Sequence, residues 1–250
     1  MSYNPFSLVG KTILVTGASS GIGRATAIEC SKMGAAIILS GRDMQRLQET
    51  FDELSVFSHQ EHHIVLADLS NEDDIVSLVK NVGVIDGLVN NAGVNRVKPV
   101  AFIKKDDLDY IFQNNAFSSV VLTRHLLKNK KINKGGSIVF TSSVSSFYNA
   151  PGRSLYASSK AALTSFMRSF AVELADKGIR ANAVHPGMIE TKLIHENLTD
   201  EEREKDMAEY PLKRYGKPEE VAWAIIYLLS DASAWITGSS LVIDGGFMLK

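Results

Sequence analysis

Three side chains in the sequence have the types and the spacing needed to protonate a carbonyl oxygen. Tyr156 and Lys160 are four positions apart, so on a helix they share one face and the lysine charge favours the ionised phenol. We therefore expect the pKa of Tyr156 to fall below the reference tyrosine value of ~10. Ser143 closes a buried apolar run upstream, and its hydroxyl can hold the same oxygen. Taken alone, a Tyr-x-x-x-Lys pair is more often structural, so the rest of the chain must decide.

The chain that positions these side chains alternates strands with helices. Apolar runs bounded by turn residues predict strands at residues 11–16, 36–40, 63–68, 84–89, 137–143, 179–184 and 240–244. Helical spacing of apolar residues predicts helices at 22–33, from Asn71, at 106–130, from the Tyr156 region to 176, and at 219–229. Because the strands are apolar on both faces, we predict one α/β domain over residues 1–250. This is a Rossmann-like, doubly wound parallel sheet of about seven strands with helices on both faces.

A glycine-rich turn joins the first strand to the first helix. Its glycines are Gly17, Gly21 and Gly23, a spacing that differs from the G-x-G-x-x-G fingerprint but serves the same need. Small residues let the backbone approach a pyrophosphate at a helix N-terminus, where free N–H groups and the helix dipole favour anions. A tight strand-to-helix connection is the alternative. The position after the first strand favours dinucleotide binding.

The end of the second strand lacks the acidic residue that usually binds the adenosine ribose of a dinucleotide. Arg42 stands there instead, and a guanidinium can hold a ribose 2′-phosphate through two hydrogen bonds. The alternative is a solvated arginine before a helix capped by Asp43. Asp68, at the end of the third strand, either bonds the adenine amino group or caps the helix that begins near Asn71.

Polar residues interrupt the regular pattern at two places. Asn91, Ala92 and Gly93 follow the fourth strand, and an amide beside two small residues suits a turn that leaves room for a ligand. Asn115 lies midway along the helix predicted at 106–130, where a polar amide disfavours the helix unless its side chain has partners. Residues 188–217 lack a strand pattern and carry mixed charges, which predicts a helical lid or loop over a substrate.

Composition and charge exclude several classes of partner. The 27 basic and 28 acidic side chains give a formal net charge of −1 and are mixed along the chain, so neither nucleic acid nor a membrane surface is an expected partner. No long apolar run predicts a membrane span and no signal sequence is recognised, so we expect a cytoplasmic location. Cys30 is the only cysteine, which fits a reducing compartment and excludes an intramolecular disulfide.

Metal chemistry and covalent acyl chemistry are not predicted. The only close group of histidines, His59, His62 and His63, lies at a loop and the start of a strand without a further ligand, so no metal site is expected. The chain also lacks a Gly-x-Ser-x-Gly elbow and a cysteine beside a histidine, which argues against acyl-enzyme catalysis.

From residue 10 to residue 246, the chain resembles the short-chain dehydrogenase/reductase family. Four motifs carry the resemblance, in this order: the glycine turn at 16–23, the Asn-Asn-Ala-Gly turn at 90–93, the tetrad Asn115, Ser143, Tyr156 and Lys160, and the group Pro186, Gly187 and Thr191. The resemblance implies a Rossmann-like NAD(P)-dependent oxidoreductase that moves a hydride between nicotinamide and a ketone or secondary alcohol.

The resemblance also implies a role for each catalytic residue. Tyr156 would protonate the carbonyl oxygen that Ser143 holds. Lys160 would lower the Tyr156 pKa and bond the nicotinamide ribose, and Asn115 would hold a water that relays protons to Lys160. Cofactor contacts are implied at Gly17, Ser19, Ser20, Gly21, Ile22, Gly23, Arg42, Asp68, Leu69, Asn91, Ala92, Gly93, Tyr156, Lys160, Pro186, Gly187 and Thr191.

The cofactor and the substrate are predicted less directly. NADP-preferring members of the family often carry a basic residue in the glycine turn, where this chain has Ser20, so Arg42 carries the prediction of NADP(H), with NAD(H) as the alternative. The length and the ending Ile-Asp-Gly-Gly are most similar to bacterial 3-oxoacyl-acyl-carrier-protein reductases, which predicts a role in fatty acid biosynthesis. The alternatives are an NAD-dependent dehydrogenase of a polyol, sugar acid or other secondary alcohol, and a dinucleotide-binding sensor without turnover.

Two predictions concern partners. Lys128 and Lys177 occupy positions where carrier-protein reductases of the family have basic docking residues, so we expect them beside the active-site mouth, steering an acidic acyl carrier protein. The alternative is that both lysines complement helix dipoles. The helices near Asp106 and Ser154 resemble the family's tetramer-forming pair, so a homotetramer is expected. Residues 145–155 and 188–215 are expected to set substrate choice.

Overall fold

A sheet of seven parallel strands lies at the centre of the computed structural model, which describes residues 3–54, 60–191 and 199–249. The strands are β1 (Thr12–Thr16), β2 (Ala36–Gly41), β3 (His63–Leu66), β4 (Ile85–Asn90), β5 (Ile132–Thr141), β6 (Arg180–Pro186) and β7 (Ser240–Ile243). Their order in the sheet is β3-β2-β1-β4-β5-β6-β7, and each neighbouring pair is parallel. The predicted doubly wound parallel sheet is confirmed.

Helices cover both faces of this sheet. In the described part of the chain they are α1 (Gly21–Lys32), α2 (Met44–Phe51), α3 (Glu72–Asn81), α4 (Lys105–Phe112), α5 (Ser118–Lys128), α6 (Ser154–Glu173), α7 (Asp200–Ala208) and α8 (Pro218–Leu229). Helices α1, α2 and α8 pack on one face, where Ala27 and Ile225 join the core. Helices α3, α5 and α6 pack on the other, with Leu126 and Met167. None of the described helices combines the length and the apolar character needed to cross a membrane.

Strand β1 shows why the strand sequences are apolar at successive positions. Ile13 and Val15 lie in the core beneath α1 and α8, whereas Leu14 lies in the core beneath α5 and α6. Successive side chains of a strand face opposite sides of the sheet, so a strand that is covered on both faces has no solvated side. All three side chains are fully buried.

One predicted helix is divided in the structure. Residues 106–130 form α4 and α5 with a π-helical turn, Gln113–Phe117, between them. A π turn accommodates an extra residue and changes the direction of the side chains within it. Asn115 lies in this turn, so the amide that the sequence marks as unfavourable in a helix is found where the α-helical pattern is broken.

Two site residues that are predicted to close strands lie beyond the strand ends. Strand β3 ends at Leu66 and β5 ends at Thr141, so Asp68 and Ser143 each lie two residues beyond their strands. Outside the strand, the Ser143 side chain is free to cap a short 3₁₀ turn at Val144–Ser146. This cap fixes the Ser143 side chain at the edge of the sheet.

The predicted lid, residues 188–217, contains helix α7 in its described part. An isolated parallel bridge between Ile189 and Gly216 joins its two ends. Tyr210 and Tyr215 pack with Phe247, from the C-terminal end of the chain, in a small apolar cluster. Residues 192–198 of the predicted lid lie outside the described residues.

Candidate active site

The carboxyl ends of the described strands meet at one edge of the sheet, because the strands all run in the same direction. After β1 the chain continues into α1 on one face, and after β4 it continues towards α5 on the opposite face. The neighbouring ends of these two strands therefore border a crevice, the place where open parallel sheets bind ligands. The site residues predicted from the sequence lie after strands at this edge.

The glycine turn leaves the N-terminus of α1 open to an anion. Ser20 stands at the N-cap without a side-chain cap bond, and the first turn of α1 carries no acidic residue. Gly17 and Gly21 have φ values of 64° and 53°, a left-handed conformation that other residues rarely adopt. The first N–H groups of the helix lack intrahelical partners, so they and the helix dipole are available to a phosphate.

Close packing also requires two of these glycines. A Cβ atom on Gly23 would lie 2.2 Å from the Gly17 carbonyl oxygen, closer than any side chain tolerates. A Cβ atom on Gly17 would lie 3.0 Å from both the Ala92 Cα and the Asn91 Nδ2 atoms. The turn after β4 is therefore packed directly against the glycine turn, as a shared ligand site requires.

Thr16 holds these two turns together. Its hydroxyl donates to the Val89 carbonyl oxygen at 3.1 Å and accepts from the N–H groups of Asn91 at 2.9 Å and Ala92 at 3.1 Å. The Asn91 side-chain amide also donates to the Thr16 carbonyl oxygen at 3.2 Å. Thr16 is not among the site residues predicted from the sequence. The signal that could have identified it is a threonine at the end of an otherwise apolar buried strand.

The segment after β6 borders the opposite side of the crevice. Gly187 donates its N–H to the Ile243 carbonyl oxygen at 2.9 Å, and a Cβ atom on Gly187 would lie 3.0 Å from the Asp244 Cα atom. Thr191 lies over the glycine turn, since a Cβ atom on Gly21 would be 3.4 Å from its methyl group. The structure therefore brings Gly187 and Thr191 to the crevice, as predicted.

Arg42 and Asp68 lie further along the same edge, after β2 and β3. The guanidinium is 4.0 Å from the Asp68 carboxylate, and both side chains are exposed. Burial raises the pKa of Asp68, but hydrogen bonds from Ser70 at 2.9 and 2.8 Å and the Arg42 charge outweigh it, so the net shift is downward. Asn71 caps α3. The alternative that Asp68 caps this helix is therefore wrong, and its carboxylate faces Arg42.

The remaining predicted cofactor contacts differ in how exposed they are. Ser20 is exposed, and Ser19 and Ile22 are half-buried. Leu69 is buried in the core with α3, so its side chain cannot reach a ligand and only its backbone remains available.

Ser143 and Tyr156 approach each other across the crevice. Tyr156 belongs to the first turns of α6, and Ser143 follows β5. The Ser143 hydroxyl is close enough to the phenol to lower its pKa by hydrogen bonding. The Ser143 Oγ atom also accepts from the Ser145 N–H at 3.1 Å, which fixes its position. A substrate carbonyl oxygen between the two side chains can accept a hydrogen bond from each.

Lys160 lies one helical turn after Tyr156 and is buried, with 4% of its surface exposed. Its Nζ atom donates to the Thr141 carbonyl oxygen at 2.8 Å and lies 5.8 Å from the centre of the Tyr156 ring. Burial lowers the pKa of Lys160 to about 8. The lysine therefore contacts the tyrosine, as its spacing predicts, but holds its proton much less strongly than an exposed lysine.

The predicted fall in the Tyr156 pKa does not occur in this structure. Burial raises the pKa of the phenol, while the hydrogen bond with Ser143 and the charge of Arg153 oppose the rise. Because the pKa of Lys160 is about 8, the lysine is neutral at the pH where the phenol ionises and adds no charge to stabilise it. The prediction is wrong because it assumes a fully charged Lys160.

Asn115 is held by three hydrogen bonds. Its Oδ1 atom accepts from the Val94 N–H at 2.7 Å, and its Nδ2 atom donates to the Val94 carbonyl oxygen at 2.9 Å and the Ser159 hydroxyl at 3.0 Å. A Cβ atom on Gly93 would lie 3.1 Å from Asn115 Oδ1 and 3.3 Å from Lys160 Nζ. The structure thus brings Asn115 beside Lys160, with its amide already bonded to protein groups.

His185 supports Ser143 from within the core. Its Nδ1 atom lies 3.1 Å from the Ser143 carbonyl oxygen and 3.0 Å from the Ser146 hydroxyl. The ring is fully buried, and burial lowers its pKa, which favours the neutral imidazole. His185 is not among the site residues predicted from the sequence. Its position directly before Pro186 and Gly187 is the signal that could have drawn attention to it.

Lys128 and Lys177 lie far from Ser143 in the folded structure. Gly178, next to Lys177, packs against Gly135, since its Cβ atom would be 3.6 Å from the Gly135 backbone. Gly135 is near the start of β5 and eight residues before Ser143, roughly 25 Å at ~3.3 Å per residue. The C-terminal ends of α5 and α6 thus lie at the opposite edge of the sheet. The prediction that both lysines lie beside this chain's active-site mouth is wrong.

The residues that the structure describes contain no group of three or more histidine, cysteine, aspartate or glutamate side chains that could hold a metal ion. His62 accepts a hydrogen bond from the Ile37 N–H at 3.0 Å, which gives it a structural partner in β2. His59, from the predicted group of histidines, lies outside the described residues.

Known proteins similar to this chain are reductases and dehydrogenases. A family model described as enoyl-(acyl carrier protein) reductase matches residues 17–248. The chain is 38% identical to the 3-oxoacyl-(acyl-carrier-protein) reductase FabG of Thermotoga maritima over 97% of this chain and 99% of the relative. It is 37% identical to the glucose 1-dehydrogenase of Gluconobacter oxydans, over 96% and 92%. A crystal structure of a short-chain type dehydrogenase/reductase from Mycobacterium marinum has a TM-score of 0.88 and 31% identity, over 98% of each chain.

The substitution Gly23→Ala is expected to distort the glycine turn, because the added methyl group must displace the Gly17 carbonyl 2.2 Å away. Overpacking of this kind costs about 1–3 kcal/mol, so thermal unfolding should shift down by several degrees and dinucleotide affinity should fall. Gly83→Ala is the matched control, since a Cβ atom there meets nothing within 4 Å. A Gly23→Ala protein with unchanged melting temperature and affinity would contradict the packing described.

Replacement of Lys160 by Met is expected to change how stability depends on pH. Between about pH 8 and pH 10.5, the unfolded chain keeps a lysine proton that the folded chain has lost, so Lys160 makes stability rise with pH in this range. Urea unfolding near pH 7 and near pH 9.5 should show the wild type gaining about 2 kcal/mol relative to Lys160→Met. Parallel pH profiles for the two proteins would show that the Lys160 pKa is not lowered.

Proposed function

The chain belongs to the short-chain dehydrogenase/reductase family and is an NAD(P)-dependent oxidoreductase, and we propose that it uses NADPH to reduce the ketone of a 3-oxoacyl thioester. The observation that carries the proposal is the proximity of the Ser143 hydroxyl to the Tyr156 phenol, beside the buried Lys160, at the carboxyl edge of the sheet. These groups can hold and protonate one ketone oxygen.

In the proposed reaction, Tyr156 donates a proton to the ketone oxygen and Ser143 holds that oxygen by a second hydrogen bond. Bound NADPH supplies the hydride. Because burial raises the pKa of Tyr156, the phenol stays protonated at neutral pH, which suits a proton donor in the reducing direction. Lys160 bonds the nicotinamide ribose and returns a proton to Tyr156, and Asn115 holds a water beside Lys160 that supplies this proton.

We propose that the dinucleotide lies along the edge of the sheet, with its pyrophosphate on the open N-terminus of α1. The fit is supported by the uncapped helix and by the glycines whose missing side chains leave the backbone exposed. The adenosine end would contact Arg42 and Asp68. The other proposed contacts are Gly17, Ser19, Ser20, Gly21, Ile22, Gly23, the Leu69 backbone, Asn91, Ala92, Gly93, Pro186, Gly187 and Thr191.

NADP(H) is favoured over NAD(H) by the charge at the adenosine end. No acidic side chain follows β2 directly, and the Arg42 guanidinium is exposed with only a distant contact to Asp68. Arg24, the basic residue near the glycine turn, forms an ion pair with Glu53 instead. A ribose 2′-phosphate would therefore bind through Arg42.

The wall of the crevice supports an acyl substrate. The Tyr210 ring stacks on Phe247 at 4.9 Å, and Tyr148 meets Phe247 edge-on at 5.3 Å. These side chains come from the C-terminal end and from the segments 145–155 and 188–217, which we propose select the substrate. Aromatic side chains offer apolar surface for an acyl chain.

Oxidation of a sugar or sugar acid with NAD is the second candidate. The glucose 1-dehydrogenase above and the L-rhamnose 1-dehydrogenase (NAD(P)(+)) of Azotobacter vinelandii, 36% identical over 97% of this chain and 98% of the relative, support it. A non-catalytic dinucleotide sensor has weaker support, because all four residues of the proposed tetrad are present and close together.

We further propose that the chain forms a homotetramer. The faces of α4, of the π turn and of α6 expose the apolar side chains of Leu108, Tyr110, Phe117 and Phe166, each between 37% and 43% accessible. Strand β7, at the edge of the sheet, exposes Val242. Two separate self-complementary surfaces generate a tetramer. Light scattering that gives the mass of a single chain would contradict this proposal.

A substrate screen read by nicotinamide absorbance tests the proposed function. The purified chain is assayed with acetoacetyl thioester, free and bound to acyl carrier protein, and with glucose and gluconate, each with NADP(H) and NAD(H). We expect the highest kcat/KM with the thioester and NADPH. If acyl carrier protein is a partner, kcat/KM should be higher for the carrier-bound thioester than for the free one. Faster oxidation of a sugar with NAD would favour the second candidate, and no turnover of any substrate would favour the sensor.

The substitution Arg42→Ala is expected to weaken NADPH binding by about ten- to hundredfold, the equivalent of losing ~1.5–3 kcal/mol from a charge-assisted phosphate contact. NADH binding should change little, because NADH lacks the 2′-phosphate. Titration calorimetry with both dinucleotides measures this difference. Arg46→Ala is the control, since Arg46 pairs with Asp43 on the exposed side of the same segment. Equal weakening of both dinucleotides would show that Arg42 acts on the fold or the adenine.

A further inference from the structure

Arg153 lies three residues before the proposed catalytic tyrosine, at the start of the same helix. It occupies the N-cap position of α6, three residues before Tyr156, so the two side chains leave the same face of the helix. The Arg153 side chain is half-buried. Within residues 3–54, 60–191 and 199–249, its guanidinium forms neither an ion pair nor a hydrogen bond.

The charge of Arg153 affects the pKa values of two phenols, those of Tyr156 and Tyr210. Burial raises the pKa of both Tyr156 and Tyr210, and the Arg153 charge opposes the rise at each. Tyr210 belongs to the segment after α7, and its hydroxyl accepts a hydrogen bond from the Met188 N–H at 3.3 Å. The Arg153 charge therefore acts on the proposed proton donor on α6 and also on a phenol of the segment after α7.

The acidic side chains near this wall do not neutralise Arg153. Asp206 and Asp244 both raise the pKa of Tyr210, so they are its neighbours. The two carboxylate oxygens of Asp244 accept the N–H groups of Gly246 at 2.9 Å and Met248 at 2.8 Å. In the part of the chain that the structure describes, neither aspartate is within ion-pair distance of Arg153. A half-buried cation without an acceptor is unfavourable, so an oxygen of a ligand would stabilise it.

We propose that Arg153 binds an oxygen of the acyl group next to the reacting ketone, so that the site selects 3-oxo acids and 3-oxoacyl esters over plain ketones. This inference rests on the proposed function, in which Tyr156 and Ser143 hold the ketone oxygen. The acyl carbon of such a substrate is two bonds from the ketone carbon, so its oxygens can come within reach of a side chain next to Tyr156 on the same helix face.

The guanidinium also predicts an order among substrates. Its planar donors bind both oxygens of a carboxylate, whereas an ester or thioester carbonyl accepts fewer and weaker hydrogen bonds. A plain ketone offers no second oxygen. Arg153 should therefore contribute most to the binding of a free 3-oxo acid, less to a 3-oxoacyl ester or thioester, and nothing to a plain ketone.

The experiment compares three ketones, acetoacetate, ethyl acetoacetate and 2-pentanone, in the NADPH assay. The variants are Arg153→Gln, Arg153→Lys and, as a control, Arg168→Gln, which removes an exposed arginine further along α6. For Arg153→Gln we expect kcat/KM to fall about ten- to hundredfold with acetoacetate and severalfold with the ester, and to stay within about twofold with 2-pentanone. Arg153→Lys should restore part of the loss with acetoacetate, and Arg168→Gln should resemble the wild type.

The pattern of kcat/KM losses across the three ketones shows which oxygen Arg153 binds. It also shows which results would overturn the proposal. A loss with acetoacetate and with the ester supports a subsite for any 3-oxoacyl group, and a loss with acetoacetate alone supports a subsite for free carboxylates. An equal loss with all three ketones would show that Arg153 acts through Tyr156 or the fold and would overturn the proposal. No loss with any of them would overturn it as well.

Binding of malonate separates this inference from the proposed function. Malonate carries carboxylates and no ketone, so its affinity in the presence of NADP⁺, measured by calorimetry, does not depend on turnover. We expect Arg153→Gln to weaken this binding about ten- to hundredfold. Malonate binding that depends on Arg153 in a chain that reduces no ketone would support the anion subsite while contradicting the proposed reductase. Malonate affinity that is equal in the wild type and Arg153→Gln would overturn the subsite.

Discussion

The hydrogen bonds of the Thr16 hydroxyl hold together the part of the structure on which the site depends. They join the end of β1 to the turn after β4, where the two neighbouring strands send the chain to opposite faces of the sheet. With these ends fixed, Ala92 packs on Gly17, and Gly93 lies against the side chains of Asn115 and Lys160. One set of contacts thus connects the N-terminus of α1 with the proposed proton relay, so a dinucleotide bound as proposed on the glycine turn would lie next to the residues that would use it.

Desolvation by burial affects the pKa values of the proposed catalytic residues Lys160 and Tyr156 more than neighbouring charges do. Burial lowers the pKa of Lys160 to about 8 and raises that of Tyr156, so the pair holds its exchangeable proton on the phenol. A protonated phenol is the form that donates to a ketone, whereas oxidation of an alcohol needs the phenolate. These pKa shifts therefore keep the phenol in the form that donates a proton, as the proposed reduction requires. The charge of Arg153 opposes the rise in the Tyr156 pKa, so the proposed substrate-binding arginine also acts on the proposed proton donor.

The sequence predicts the parallel sheet, the order of strands and helices, and the site motifs whose members are close in sequence. The glycine turn and the Tyr156 and Lys160 pair are examples, because local spacing alone places their members together. It does not predict the π turn at Asn115 or the bonds of Thr16 and His185, because these depend on which buried groups meet in the folded chain. The predicted Tyr156 pKa has the wrong direction for the same reason, since burial is a property of the packed structure.

The central claim is that Tyr156 donates the proton to a ketone held at this edge of the sheet, and the substitution Tyr156→Phe tests it most directly. Phenylalanine keeps the ring packing and removes the hydroxyl, so NADPH affinity and melting temperature should stay near the wild-type values. We expect kcat for reduction of the best ketone substrate to fall by about 10²–10⁴-fold. Tyr227→Phe, on the distant helix α8 where the ring packs against Phe6, is the matched control and should keep full activity. A folded Tyr156→Phe protein that binds NADPH and reduces the ketone at the wild-type rate would contradict the account.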